Sequence, residues 1–436
     1  MGFGCRATRR YLSSGLRRQS WMQNTDKLGE EASEDQLSGR IHILGLGNVG
    51  NFVAHSLATR PSRPPMTLML HNPRFYQLLV QRRNRISLFT NGLDDIKTEF
   101  DVNVRSNEAW YSLPYSAQVV DRGGEHELSE KLLKKAAEEQ LAHAERDDGH
   151  IECLVVTCKA TDTVRALLSV KERLTRDSTI LFLQNGMGQI DEVNASVFPN
   201  QSDRPNYMSG VISHGLFRKA PFHVAHTGIG STILSPLPRG GIDLSANHGY
   251  DVDWAPTTKY LLRSLTLAPS LVAVAVTPSD LIQYQLEKLA TNCVINPLTA
   301  ILDCLNGEPL YHFSFSRVMR LLLIEISSVI CALPELQGVP GIEHRFSVER
   351  LRHITVKLMN KTAKNSSSML QDVRARRNVE VNYLNGYIVR RGEELGIKCT
   401  LNYMIMHLLA ARRGILMQRE AEAIPIKHPA IEFGES

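Results

Sequence analysis

An α/β domain built on a parallel sheet, followed by an all-α domain, is the fold class this sequence predicts. Three observations carry it. The apolar run Ile41-His42-Ile43-Leu44 leads directly into a glycine-rich turn and then into an amphipathic stretch. Short β-type runs and helical runs go on alternating to about residue 256. From about 257 the β signal fades, and apolar residues recur at helical spacing over 278–304, 315–332, 346–364 and 378–395. Strand–helix–strand alternation implies parallel strands joined by right-handed crossovers, and an all-helical second half must bury its apolar faces separately. The expected domains are therefore 40–256 and 257–420.

The 436 residues, 43% hydrophobic and 22% charged, suit two globular domains. The richest apolar stretch, Leu321-Leu322-Leu323-Ile324-Glu325-Ile326, is broken by a carboxylate, so no membrane span is expected. The formal charge is +5, from 50 basic and 45 acidic residues. Arg6, Arg9, Arg10, Arg17 and Arg18 supply that excess within residues 1–25, which contain no acid. The body of the chain is neutral and carries no broad footprint for nucleic acid. The Arg- and Ser-rich, acid-free N-terminus has the character of a mitochondrial presequence, the alternative being a basic tail without an address and a cytoplasmic protein. Residues 26–39 are polar and read as a linker, and 421–436 as a tail. The seven cysteines show no C-x-x-C pair and no ligand spacing with His, so they read as small buried hydrophobes and no metal site is expected.

Taken in order, the strand Ile41–Leu44 is followed by a helix over 51–59, the helix-breaking run Arg60-Pro-Ser-Arg-Pro-Pro65, and a strand over 66–70. Strands are expected over 154–157 and 180–183, with a helix over 162–174 between them. Residues 207–213, 223–226 and 232–234 read as β-rich hairpin material. Residues 107–150 read as an insertion with a charged helix near 127–146, whose charge run reads as a solvated face, and 239–256 as a second insertion.

Between the first strand and helix stands Gly45-Leu46-Gly47-Asn48-Val49-Gly50. In this setting G-x-G-x-x-G is the fingerprint of a Rossmann-type dinucleotide site, whereas alone it is a weak signal. Gly45 permits the tight turn, Gly47 lets the backbone approach a diphosphate, and Gly50 lets helix and strand pack closely. The second strand ends Leu70-His71-Asn72-Pro73-Arg74, without the acid that grips the ribose diol of NAD. Arg74 is available to a 2′-phosphate, which favours NADPH/NADP+, with Arg82, Arg83 and Arg85 as competitors.

Three further segments carry chemistry. Val156-Thr157-Cys158-Lys159-Ala160 and Gln184-Asn185-Gly186-Met187-Gly188 each follow a strand, where such sheets bind ligands. In the run Glu287–Ala300, Lys288, Asn292 and Asn296 fall one helical turn apart on one face. A cation and two amides among apolar residues suit the lining of a small anionic ligand. Pro297 is expected to kink the helix beside them.

With these motifs, the sequence resembles the ketopantoate reductase (2-dehydropantoate 2-reductase) family. The matching stretches are Gly45–Gly50, Thr157–Lys159, Asn185–Gly188, Lys288–Ala300, Ser367-Ser368-Met369-Leu370-Gln371-Asp372, Glu380 and Asn385-Gly386. The resemblance implies a 6-phosphogluconate-dehydrogenase-like fold and NADPH-dependent reduction of a 2-keto acid, 2-dehydropantoate, to pantoate in pantothenate biosynthesis. It implies Lys288 as general acid, Glu380 as its catalytic partner, and Asn292, Asn296 and Ser368 as substrate ligands. Asn185 would sit between nicotinamide ribose and substrate, and Lys159 near the adenosine end of the cofactor. Read from the residues alone, Glu380 fits a helix-surface carboxylate near Arg374, Arg376 and Arg377, and Ser368 with Gln371 fits a helix N-cap. The two insertions and the long N-terminus depart from a compact enzyme of this type. They leave open a reductase of another branched 2-keto acid, or a non-catalytic binding or regulatory protein.

Overall fold

A computed structural model describes residues 37–118, 130–239 and 254–422. The strands run β1 (Ile41–Leu44), β2 (Met66–Leu70), β3 (Ile86–Thr90), β4 (Leu93–Lys97), β5 (Asp101–Ser106), β6 (Ala109–Leu113) and β7 (Glu145–Arg146). They continue with β8 (Cys153–Val156), β9 (Thr179–Phe182), β10 (Asn206–Ile212), β11 (Gly215–Ala220), β12 (His223–Gly228), β13 (Thr232–Leu237) and β14 (Ala273–Ala275). Ten of them form one sheet in the order β14-β13-β10-β9-β8-β1-β2-β5-β6-β7, and β11-β12-β3-β4 form a second. The centre of the large sheet, β5-β2-β1-β8-β9-β10, is parallel throughout. Strand order reverses between β1 and β8, so the ligand crevice of this α/β sheet opens at the carboxyl ends of those two strands. β1, β2, β8 and β9 are buried along their whole length, as continuous apolar strands covered on both faces must be.

The structure moves three boundaries. The first domain ends near Thr277, not at 256. The helix Pro256–Thr266 buries Leu261 and Leu265 in the same apolar cluster as β1 and β2, and β14 pairs in parallel with β13. The linker ends before 39, because the Gly39 carbonyl already accepts from the Tyr260 hydroxyl at 2.7 Å. The stretch 107–150 is not simply inserted: it starts in the turn of the β5–β6 hairpin and returns to the sheet edge as β7. Its helix, Glu130–Ala142, has a buried face as well as the charged one. Leu133 and Ala137 are buried, and Gln140 accepts from the hydroxyl of Tyr76 on the helix Pro73–Gln81. The expected helix over 162–174 is the short helix Thr163–Leu168 flanked by 3₁₀ turns. Most of 239–256, like the expected presequence and tail, lies outside the described residues.

The second domain is helical. Its axis is the helix Pro278–Leu302, capped by Thr277 and continuous through Pro297. Proline at 297 has no N–H for the carbonyl of Cys293. That carbonyl instead accepts from the side-chain amide of Asn385 at 2.9 Å, on the helix Asn385–Glu394. Asn385 also donates to Asn402 (3.0 Å), and Asn402 in turn donates to Glu325 on the helix Phe313–Ala332. Glu325 also receives the first free amides, Leu401 and Asn402, of the helix Thr400–Glu422. A backbone defect in the central helix is thereby tied into a buried network joining four helices. Among the described residues no helix is long and apolar enough to cross a membrane.

Candidate active site

The glycine turn has the geometry its spacing predicts. Gly45 adopts φ +103°, and a Cβ there would lie 2.4 Å from the backbone nitrogen of Cys158. A Cβ at Gly50 would lie 2.0 Å from the Gly45 carbonyl oxygen and 2.6 Å from Thr157 Oγ1. At Gly47 a Cβ would meet nothing within 4 Å. That glycine faces open space immediately before the helix Asn48–Ala58, which has no side-chain cap and no acid in its first turn. Free amides and the positive end of a helix beside an open backbone fit a dinucleotide diphosphate. Leu46 and Val49 turn inward onto the sheet cluster, and the Asn48 amide donates to Leu216 of β11 at 3.3 Å.

At the end of β2, Asn72 caps the helix Pro73–Gln81 by accepting from the Phe75 amide. Arg74 is exposed on that first turn, with no hydrogen bond or ion pair among the described residues. Lys159 comes from a different strand. It follows β8, on the other side of β1, and its ammonium bonds Asp372 Oδ2 and the Asn378 carbonyl, both at 2.6 Å.

The polar face of the long helix meets the sheet at the ends of β9 and β10. Lys288 Nζ donates to Asn185 Oδ1 at 2.9 Å and to the Ile212 carbonyl at 2.7 Å. Asn185 also lies close enough to Glu380 to favour its anion, and Glu380 Oε1 accepts from the Ala160 amide at 3.0 Å. Lys288, Asn185 and Glu380 thus form one connected chain. Burial lowers the Lys288 pKa from 10.5 to about 8, and the nearby Glu380 carboxylate opposes the fall. Burial raises the Glu380 pKa, against the Ala160 amide, the Lys159 charge and Asn185, which favour its anion. Asn292 lines the same crevice, with Gln184, Gly186, Gly210, Val211 and Gln285. Asn296 is buried one turn further on.

The cap of the helix Ser368–Arg374 is Ser367, not Ser368: Ser367 Oγ accepts from the Leu370 amide at 3.1 Å. Thr299, on the long helix just beyond Asn296, donates to Ser367 at 2.8 Å. Ser368 is exposed beside that junction, and neither it nor Asn296 bonds the Lys288 chain among the described residues. Glu380 is not a helix-surface carboxylate either. It precedes the 3₁₀ turn Val381–Tyr383, ahead of the helix that begins at Asn385 rather than at 378.

Sequence reasoning missed the Ile212 carbonyl and Ala160 amide, which any residue type supplies. It also missed the seam at Tyr383. The Tyr383 carbonyl accepts from the Met187 amide, and its hydroxyl donates to Glu192 at 2.7 Å. Gly186, at φ +80°, would place a Cβ 2.5 Å from that same carbonyl, so the Asn-Gly motif is what lets the domains close.

Comparison with known proteins agrees with this geometry. Family models described as "Ketopantoate reductase PanE/ApbA" and its C-terminal counterpart match residues 41–239 and 280–413. A probable 2-dehydropantoate 2-reductase of Schizosaccharomyces pombe is 29% identical over 381 residues, covering 87% of this chain and 98% of the relative. The 2-dehydropantoate 2-reductase of Vibrio cholerae is 33% identical over 256 residues, covering 58% and 75%. A ketoisovalerate reductase of Beauveria bassiana is 25% identical over 396 residues, covering 82% and 79%. Among solved structures, a D-mandelate dehydrogenase with NADH and anilino(oxo)acetate superposes with a TM-score of 0.63 at 18% identity, covering 87% of this chain and 99% of its own. With its α/β first domain, helical second domain and lysine-centred crevice, the chain belongs to the ketopantoate reductase family of oxidoreductases.

Proposed function

We propose that this chain reduces 2-dehydropantoate to pantoate with NADPH, as a step of pantothenate synthesis, using Lys288 as general acid. The observation that carries this is Lys288 itself: a buried ammonium fixed by Asn185 and Ile212 at the crevice, with a pKa of about 8. A general acid works best when its pKa lies near the working pH. The open glycine turn and uncapped helix fit a dinucleotide, and a reduced nicotinamide supplies hydride to a keto carbon when bound. Lys288 then donates its proton to the carbonyl oxygen, and its charge stabilises the developing alkoxide. Glu380 favours the ammonium form before transfer. Asn185 holds Lys288 and Glu380 at fixed distance, while Asn292, Asn296 and Ser368 are the amides and hydroxyl available to the substrate's carboxylate and hydroxyl groups. Arg74 is free to pair with the 2′-phosphate, which is the basis for NADPH over NADH.

The ketoisovalerate reductase relative favours one second reading, a smaller branched 2-keto acid in the same crevice. The test is to purify residues 26–436 and follow NADPH absorbance with 2-dehydropantoate, 2-ketoisovalerate and other 2-keto acids. Oxidation with 2-dehydropantoate, lost in Lys288→Ala, is the expected result. Oxidation with another acid alone replaces the substrate, and none with any acid refutes the reductase. Arg74→Ala should weaken NADPH relative to NADH; an unchanged ratio moves the 2′-phosphate to another basic residue. We also propose delivery to mitochondria by residues 1–25. Fused to a fluorescent reporter, they should carry it there, and a reporter left in the cytosol refutes the address.

A further inference from the structure

Tyr383 holds the α/β domain at two points, one on its backbone and one at the tip of its ring. Its carbonyl accepts from the Met187 amide at 2.9 Å, and its hydroxyl donates to Glu192 Oε2 at 2.7 Å. Glu192 lies on the helix Gln189–Ser196, 191 positions before Tyr383 in the chain. A phenol donating to a carboxylate makes a charge-assisted bond, stronger than one between neutral partners. Burial and the Glu192 charge push the Tyr383 pKa above its ordinary value, so the hydroxyl stays a donor at working pH. Glu192, Arg390 and Glu380 are the charged groups around it.

Each side of this junction carries one member of the Lys288 cluster. Met187 comes two residues after Asn185, and the Gln189 side-chain amide donates to the Asn185 carbonyl at 2.6 Å, tying that loop to the start of the Glu192 helix. Tyr383 comes three residues after Glu380, and its amide donates to the Glu380 carbonyl at 3.0 Å. Both segments are short and internally bonded, so a movement of Glu192 passes to Asn185 and a movement of Tyr383 passes to Glu380. The Met187 bond alone is a pivot, and rotation about it would let the gap between Asn185 and Glu380 vary. The second attachment, at the ring tip, removes that rotation.

We propose that Tyr383 and Glu192 form a latch between the domains that holds Glu380 at a fixed distance from Asn185 and Lys288. This rests on Lys288 as the general acid. Tyr383 and Glu192 are positioning residues, since their side chains bond each other and neither bonds Lys288 or Glu380 among the described residues. The other groups facing Glu380 are the Ala160 amide, Lys159 and Asp372, and those holding Lys288 are Asn185 and the Ile212 carbonyl. With the latch broken, Glu380 drifts from the lysine while these remain, so the ammonium loses both its fixed position and the carboxylate that favours it.

The experiment is steady-state reduction of 2-dehydropantoate with NADPH, across pH, by the full chain and by Tyr383→Phe, Glu192→Ala, Glu192→Gln and the double variant Tyr383→Phe/Glu192→Ala. Thermal melts accompany each variant as a check on folding. Tyr383→Phe and Glu192→Ala should each lower kcat roughly 10- to 100-fold, the scale of a misplacement of up to about 1 Å, with KM little changed. Their alkaline limb should move to lower pH, in the same direction as that of Glu380→Gln. The double variant should be no worse than either single one, because both remove the same bond. Glu192→Gln keeps an acceptor for the hydroxyl and should recover most of the rate. An unchanged kcat, losses that add in the double variant, or a loss that follows the melting temperature with the pH limb in place overturns the latch while leaving the general acid intact. A wild-type chain that reduces no 2-keto acid overturns the general-acid reading itself, and the latch with it.

Discussion

Lys288→Met exchanges a buried ammonium for an uncharged side chain of similar length, and its effect on stability should change with pH. The Lys288 pKa is 10.5 in the unfolded chain and about 8 in the fold. Because the folded value is the lower one, the unfolded chain binds more protons between the two. The penalty for burying the charge is absent above 10.5, grows as pH falls, and is complete below about 8. It amounts to about 3 kcal/mol at pH 7 and about 1 kcal/mol at pH 10. The substitution relieves that penalty but gives up the bonds to Asn185 and Ile212, each contributing about 1 kcal/mol. Lys288→Met should therefore be slightly more stable than wild type at pH 7 and less stable at pH 10, a swing of about 2 kcal/mol. Urea unfolding of both chains at the two pH values measures it. A difference that is the same at both would refute the buried-ammonium argument, whatever the loss of activity.

Other consequences concern the same crevice. If the protonated lysine is the acid, kcat/KM for keto-acid reduction should fall as pH rises through about 8. Glu380→Gln removes the charge that holds the Lys288 pKa up, so this limb should move to lower pH; a limb that stays in place denies the coupling. Gly47→Ala and Gly50→Ala should separate binding from folding. Gly47→Ala should keep the wild-type melting temperature and lose cofactor affinity, whereas Gly50→Ala forces a Cβ onto the Gly45 carbonyl and should lower the melting temperature. Asn385→Leu strips the Cys293 carbonyl and Asn402 of their donor and should cost about 2 to 3 kcal/mol in denaturant unfolding. A loss below about 0.5 kcal/mol would refute the contribution of these two bonds.

Local regularity made much of the fold readable. β1, the glycine turn and β2 follow from period and composition, because a buried parallel strand must be continuously apolar and a diphosphate turn must lack side chains. The helical second half was legible for the same reason, although the helices at Ser368 and Thr400 were not separately resolved in the pattern. The boundary at 256 was misplaced because Pro256–Thr266 has ordinary amphipathic spacing. Nothing in that spacing says which domain its apolar face will join. Ser368 was a plausible cap by spacing, yet Ser367 takes that role one residue earlier, since backbone direction rather than residue type selects the cap.

By itself, then, the sequence determined the order of the two domains, the glycine turn, and the single helical face bearing Lys288, Asn292 and Asn296. These are local properties, set by neighbours within a turn or two. Only the tertiary structure decided that Lys288 faces Asn185 and the Ile212 carbonyl, that Glu380 reaches the Ala160 amide, and that Lys159 pairs with Asp372. Each of those contacts joins residues 76 to 220 positions apart. Strand order and domain closure set such distances, and neither is written in the spacing of the residues that meet.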